Sequence, residues 1–356
     1  MYHKGAIEGY PLQAYESALL FSPAGSLIRR FFQHEEPKGV CIRPTMSDNW
    51  SACLQTLEGH SSYVRSVGFS HDSTRLASAS HDRTVKIWDA SSGAGLQTLE
   101  GHSSYVCSVA FSHDSTRLVS ASGDRTVKIW DASSGAYMQT LKGHSSCVYL
   151  MAFLHDSTRL ASASYDTTVK IWDASIGACL QTLRGHSSYV SSLAFSHDST
   201  RLASASHDKT VKIWDASSGA CLQTLESHSS EVHSVAFSHN STRLASASGD
   251  RTVKIWDASS GACLQTLKGH SDSVSSAELI SILASFYSDG TVPDLKPLDP
   301  HGVVISSDYT WISDNAQKVL WLPTEYRPSC SAVLGRTVGI GTGSGKVWLY
   351  RFLQHP

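Results

Sequence analysis

GHSSYVRSVGFSHDSTRLASASHDRTVKIWDASSGAGLQTLE, residues 59–100, decides the architecture of this chain. Four short runs in it, VRSVGF, RLASAS, TVKIW and GLQTL, are alternating or β-branched and have the length of strands. The pieces between them, SHDST, HDR and DASSGA, are rich in turn-favouring residues. Four such strands joined by hairpins make one small antiparallel sheet. That sheet cannot bury both faces alone, so it must stack against neighbours. The neighbours are in the sequence: His60, His102, His144, His186, His228 and His270 stand 42 residues apart, and Trp88, Trp130, Trp172, Trp214 and Trp256 keep the same interval.

The Gly-His pair, the strand ending in Trp-Asp and the 42-residue period resemble the WD-repeat β-propeller. The resemblance covers five units at nearly full identity, residues 59–268. It implies an all-β fold of radially arranged, four-stranded antiparallel blades. In each blade three strands run from the centre outwards and the fourth, here GLQTL, lies at the outer edge. It also implies a hydrogen-bonded chain of side chains in every unit. The first set is His60, Ser78, Asp82 and Trp88, and the second is His102, Ser120, Asp124 and Trp130. His144, Ser162, Asp166 and Trp172 follow, then His186, Ser204, Asp208 and Trp214, then His228, Ser246, Asp250 and Trp256. The physical chemistry agrees, because a buried indole N–H and a buried imidazole both need partners.

Outside the five units the pattern decays. Candidate innermost strands begin near Ala18, Val64, Val106, Val148, Val190, Val232, Val274, Val303 and Cys330. Residues 1–10 read as a leader, 11–356 as the propeller, and 11–58 and 269–352 as degenerate blades. Tyr15 to Phe352 divided by the period gives about eight blades, with seven as the alternative. An N-terminal strand is expected to close the ring. Leu12-Gln13-Ala14-Tyr15 resembles the LQTL strand and would pair with the C-terminal SGKVWLYRF.

Composition narrows the function. The chain has 356 residues and a formal charge of −2, with 17% charged and 41% apolar residues. It lacks the basic excess that phosphate neutralisation needs, so nucleic acid is not an expected partner. Nor is a membrane, since no apolar run has spanning length. MYHKGAIEGYPLQAY carries no apolar signal core, which leads to the expectation of a cytoplasmic protein. Cys53, Cys179, Cys221 and Cys263 share one phase of the repeat, so their Cα atoms should lie too far apart to bridge. Free thiols in a reducing compartment are expected.

Most offsets are nearly invariant among the five units, and a few are not. The third residue after the His reads Tyr63, Tyr105, Cys147, Tyr189, Glu231. Two further on stand Arg65, Cys107, Tyr149, Ser191, His233. Before the turn aspartate come His81, Gly123, Tyr165, His207, Gly249, and after it Arg83, Arg125, Thr167, Lys209, Arg251. In a four-stranded blade all these positions fall at one end, while the uniform SHDST and DASSGA turns fall at the other. Drift at exposed sites would not favour one end, so this rim reads as the binding face. Its tyrosines and arginines are residues enriched at interface hot spots.

The flanks narrow the resemblance further. GYPLQAYESALLFSPAGSLIRRFFQHEEPKGVCIRPTMSDNWSACLQTLEGH and SSDYTWISDNAQKVLWLPTEYRPSCSAVLGRTVGIGTGSGKVWLYRF are similar to the start and end of the WD-repeat region of fungal NACHT-domain NOD-like receptors. The heterokaryon-incompatibility proteins belong to that group. The resemblance implies the sensor part of a self/non-self recognition system, here without its NACHT domain. It would bind a protein or glycan ligand and work with a NACHT-type signalling protein in trans. The alternative is a constitutive scaffold for complex assembly.

Three decoys are set aside. GIGTGSGK (339–346) fails the phosphate-loop pattern at Ile340 and Val347 and reads as a Gly-rich hairpin. The histidines His71, His113, His155, His197 and His239 recur once per unit, too dispersed to converge on one metal ion. No nucleophile elbow is present, so no catalytic residue is nominated and neither an enzyme nor a cofactor is expected.

Overall fold

A computed structural model describes residues 40–43, 57–268, 303–305, 311–314, 317–322, 327–334 and 337–352. Every regular element among them is a β-strand. The first unit forms strands Val64–Phe69, Arg75–Ser80, Val85–Asp89 and Gly95–Leu99, paired in that order and antiparallel. The next four units repeat this meander, ending with Cys263–Leu267. The strands are those expected from the alternation in residues 59–100. A further three-stranded sheet holds Val303–Ile305, Trp311–Asp314 and Gln317–Trp321, and a four-stranded one ends the chain. The described residues thus form seven sheets. The candidate strands near Ala18 and Val274 lie outside the described residues, as does the leader.

The last sheet corrects one expectation. Its order is Val40–Arg43, Val347–Phe352, Thr337–Gly341, Cys330–Leu334, all antiparallel. An N-terminal strand does complete the C-terminal sheet, but it is VCIR, with Val40 opposite Phe352 and Arg43 opposite Leu349. That edge is therefore not open to Leu12–Tyr15. The physical reason is in the sequence: Val and Ile are better strand formers than the residues of LQAY. GIGTGSGK forms the hairpin between Thr337–Gly341 and Val347–Phe352, turning through Gly345 at φ 84°.

Stacking supplies the core. Ala77, Ala79, Val85, Ile87 and Leu99 of the first unit pack on Val106, Val109, Phe111, Leu118 and Trp130 of the second. The third and fourth units meet through the same set shifted by two periods, with Ile171 and Leu183 against Phe195 and Trp214. The other face of the first unit is covered by the terminal sheet, where Val64, Leu76 and Trp88 meet Val347 and Leu349. Fully burying one such aliphatic side chain contributes ~1.5–3 kcal/mol. Each interface therefore supplies what no unit has alone.

Polar staples cross the same interfaces. Arg75 donates from Nη1 to Ala132 O at 2.5 Å and from Nη2 to Ser115 O at 2.7 Å. Arg117 does the same to Ala174 O and Ser157 O, and Arg201 to Ala258 O and Ser241 O. The guanidinium fork suits two carbonyls held by a neighbouring blade.

Inside each unit, Trp88 Nε1 donates to Ser78 Oγ at 2.8 Å, and Ser78 Oγ stands 2.7 Å from His60 Nε2. His60 Nδ1 lies 2.8 Å from Asp82 Oδ2. With a neutral His, the serine accepts from Trp and donates to Nε2, while the ring's Nδ1–H points at Asp. The other four units hold the same contacts at 2.7–2.9 Å. Ser120→Ala removes the partner of both His102 Nε2 and Trp130 Nε1, and its urea unfolding free energy should fall by about 2 kcal/mol. Ser134→Ala, in an exposed turn, should cost ~0.5 kcal/mol in the same titration.

Candidate functional site

The variable offsets converge on one end of the stacked units, and backbone geometry brings them there. The amide of His81 donates to Tyr63 O at 2.8 Å, which ties the second-to-third strand turn to the entry of the innermost strand. Gly123 to Tyr105, Tyr165 to Cys147, His207 to Tyr189 and Gly249 to Glu231 repeat this bond at 2.9–3.1 Å. Two offsets chosen only for their variability are thus direct partners in all five units.

The second variable offset has its own device. In the first hairpin Val64 pairs with Ser80, but Ser66 pairs with Ala79, so Arg65 is an extra, bulged residue. The same shift leaves Cys107, Tyr149, Ser191 and His233 as the bulged residues of the other units. A bulge removes a residue from the ladder and re-aims its side chain. The fourth offset, after the turn aspartate, is left-handed: Arg83, Arg125, Thr167, Lys209 and Arg251 have φ of 66–73°. Glycine takes that conformation most easily, yet four of the five positions carry a cation.

Side chains at these positions form a band. Tyr63 stands edge-on to His81 at 6.0 Å between centroids, and His81 stacks on Tyr105 of the next unit at 4.8 Å. The Tyr105 hydroxyl donates to Cys147 Sγ at 3.8 Å. Beyond it Tyr149 stacks on Tyr165 at 5.6 Å, and Tyr165 meets Tyr189 at 4.8 Å. Tyr189 contacts His207 at 3.8 Å, and His207 contacts His233 at 5.4 Å. Arg65, Arg83, Arg125, Lys209 and Arg251 are exposed along the same end, with Glu231 the acidic member. The side chains of Arg83, Arg125, Lys209 and Arg251 make no hydrogen bond or ion pair to the described residues.

The turn aspartates stay ionised just beneath this surface, their side chains nearly buried in the hydrogen-bonded chains. Burial works to raise Asp124, but hydrogen bonds from His102 and Thr126 overcome it and hold the carboxyl well below its ordinary value. Asp250 is held at about 2 against the same burial, by Thr252 and then His228. Burial also lowers His60 and His228 despite their Asp partners, which favours the neutral ring there. On the rim itself, burial and then the Arg65 charge lower His81, while burial and then His233 lower His207.

The opposite end holds an arrangement that the sequence reading did not find. His71, His113, His155, His197 and His239 are not dispersed. They form a ladder with successive centroids 3.9–4.3 Å apart. The 42-residue period that looked like separation is the step between packed blades. Among the described residues no group of three or more His, Cys, Asp or Glu is disposed to hold a metal ion. Burial, then the His71 and His155 charges, push His113 down to about 4.

The signs of these shifts fix the response to acid. A histidine whose folded pKa lies below its unfolded value of ~6.5 lets the unfolded chain take up protons first, so stability drains as pH falls through ~6.5. For His113 the loss continues to about 4. Aspartates with depressed pKa contribute stability above ~3.9 that is lost only below it. Tm should therefore fall between pH 7 and pH 4.5, before the aspartates titrate, and His113→Gln should flatten that slope. A Tm independent of pH across this window would contradict the assignment.

The WD domain, G-beta repeat family (WD40) matches residues 51–89, 93–131, 135–173, 177–215 and 219–257, more than half of the chain. The chain belongs to that family. It is similar to the "Vegetative incompatibility protein HET-E-1" of Podospora anserina, 56% identical over 89 residues, which are 25% of this chain and 7% of that protein. It is also 43% identical over 51 residues to a "Probable cytosolic Fe-S cluster assembly factor" of Schizosaccharomyces japonicus, covering 14% and 8% of the two chains. A "Probable cytosolic iron-sulfur protein assembly protein 1" of Cryptococcus neoformans is 50% identical over 42 residues, 12% and 10% of the two chains. The matched region spans about a tenth or less of each relative's length.

Proposed function

As a WD-repeat protein of this build, we propose, the chain is a non-catalytic recognition module that binds an acidic protein surface on its variable rim. One observation carries this reading. The offsets that differ among otherwise near-identical units are joined by backbone hydrogen bonds and aromatic contacts into one band. A band of Tyr and His flanked by five exposed cations, with Glu231 and the ionised but nearly buried turn aspartates as counter-charges, supplies contact area and directional donors for a partner's carboxylates. A sulfated or otherwise anionic glycan would meet the same exposed cations.

The similarity to a vegetative incompatibility protein supports placing the module in a self/non-self recognition system, with a NACHT-type protein signalling in trans. The similarity to iron–sulfur assembly proteins supports the second reading, a constitutive scaffold. Exposed Cys179, Cys221 and Cys263 thiols suit a reducing cytoplasm.

Affinity capture with the wild-type chain and a rim variant separates the two readings. Replacing Tyr105 and Tyr189 by Ser and Arg125 and Lys209 by Gly should leave Tm within a few degrees, because none belongs to the His–Ser–Asp–Trp chains. The same variant should lose the partner identified by mass spectrometry with the wild-type chain. Raising ionic strength from about 0.1 M to about 1 M should release that partner, since screening shortens from ~10 to ~3 Å. Retention by the rim variant would sink the recognition reading and leave the scaffold.

A further inference from the structure

At the boundary between the second and third units the bulged residue of one, Cys107, approaches the strand-entry residue of the next, Cys147, and their sulfurs lie 3.4 Å apart. Cys107 belongs to the innermost strand Val106–Phe111, and Cys147 immediately precedes the innermost strand Val148–Phe153 of the next unit. Both are nearly buried, 6% and 9% exposed. A disulfide needs S–S of about 2.05 Å, so each sulfur has to move by less than an ångström.

We propose that Cys107 and Cys147 are an oxidation site that closes to an inter-blade disulfide when the chain meets hydrogen peroxide. Cys147 is the attacking sulfur. The surroundings favour that order. As a thiolate, Cys147 accepts from the Cys107 S–H and, against its burial, from the Tyr105 hydroxyl, while Arg65 adds a positive field. These contacts bring its thiol down to about 7. Cys107, as the donor to that thiolate and buried, is pushed up and keeps its proton.

The chemistry balances within the pair and one peroxide. The Cys147 thiolate attacks a peroxide oxygen, the O–O bond breaks, and hydroxide leaves and is protonated to water. Cys147 is then a sulfenic acid. The Cys107 sulfur attacks Cys147 Sγ, the S–O bond breaks, and hydroxide departs with the Cys107 proton as a second water. Two thiols are oxidised and one peroxide is reduced. The exposed Cys179, Cys221 and Cys263 lie on separate outer strands, where each sulfur is placed against its own strand's Gln carbonyl and Thr hydroxyl and not against another thiol.

The test treats the full chain with a small excess of hydrogen peroxide at pH 7, alkylates the remaining thiols and maps the peptides by mass spectrometry. A peptide pair linked through Cys107 and Cys147, two thiols lost together and both restored by dithiothreitol, is the expected result. In Cys107→Ser, a dimedone adduct should accumulate on Cys147. In Cys147→Ser, Cys107 should lose its reactivity. Oxidation confined to Cys179, Cys221 and Cys263, or a link formed only in urea, overturns the proposal. Greater reactivity of Cys107 than of Cys147 in the single variants overturns the assigned order. Should a serine variant fail to fold, the wild-type peptide map decides alone.

Discussion

A serine hydroxyl shared between an imidazole and an indole is the contact on which the rest of this fold depends. Ser78 Oγ accepts from Trp88 and serves His60, and the His passes the constraint on to Asp82. Asp82 spends its two oxygens on opposite sides of one turn. Oδ2 takes the amide of Ser61 with the His, and Oδ1 takes the amide and hydroxyl of Thr84. Three strands and the turn between two of them are thereby fixed to one another. Leaving any member unpaired exposes a buried polar group to the full desolvation penalty, which is why a small sheet with little core of its own keeps a single geometry.

That chain also decides where variation is tolerated. The residues flanking Asp82 are held in place by their backbone and contribute no side chain to the network, so His81 and Arg83 can change freely. Arg65 is released from the ladder by a bulge. Tyr63 gives its carbonyl to the turn and leaves its ring outside, 57% exposed. Tyr63 and the cations after the turn aspartates carry side chains the fold does not use, whereas at the bulge Ser191 Oγ donates to Ala205 O and Val232 O, and Cys107 and Cys147 are buried.

Much of this was legible in the sequence, and the part that was not has a common cause. The period, the four runs per unit and the His, Ser, Asp and Trp offsets are local or strictly repeated signals. The variable rim followed from hairpin topology alone. The bulge at Arg65 was not legible, because one extra residue in a six-residue strand barely disturbs alternation. Nor were the Arg75 staples or the histidine ladder, which join residues 40 or more apart through the packing of neighbouring blades. The strand Val40–Arg43 was hidden for a different reason. In a degenerate segment a weak likeness to LQTL drew attention to Leu12–Tyr15, when four residues with two strong β-formers were the better candidate.

The two ends of the units accept backbone strain for different returns. At the uniform end Ser73, Ser115, Ser157, Ser199 and Ser241 are left-handed. There the fold repays the cost: Ser115 Oγ accepts from Asp72 N and its carbonyl receives Arg75 of the preceding unit. At the variable end Arg83, Arg125, Lys209 and Arg251 bear the same conformation, which costs ~1 kcal/mol or more for a residue with a Cβ. Their side chains return nothing to the described fold. Glycine would relieve the strain, as it does at Gly93 and Gly135 in the DASSGA turns. Cations kept at a strained turn, on the end where aromatic rings are exposed, are therefore better explained by something outside the chain than by its own stability. The inter-blade pair Cys107 and Cys147 sits within this same band, so a covalent link there would fix the spacing of two units where their surface residues meet a partner.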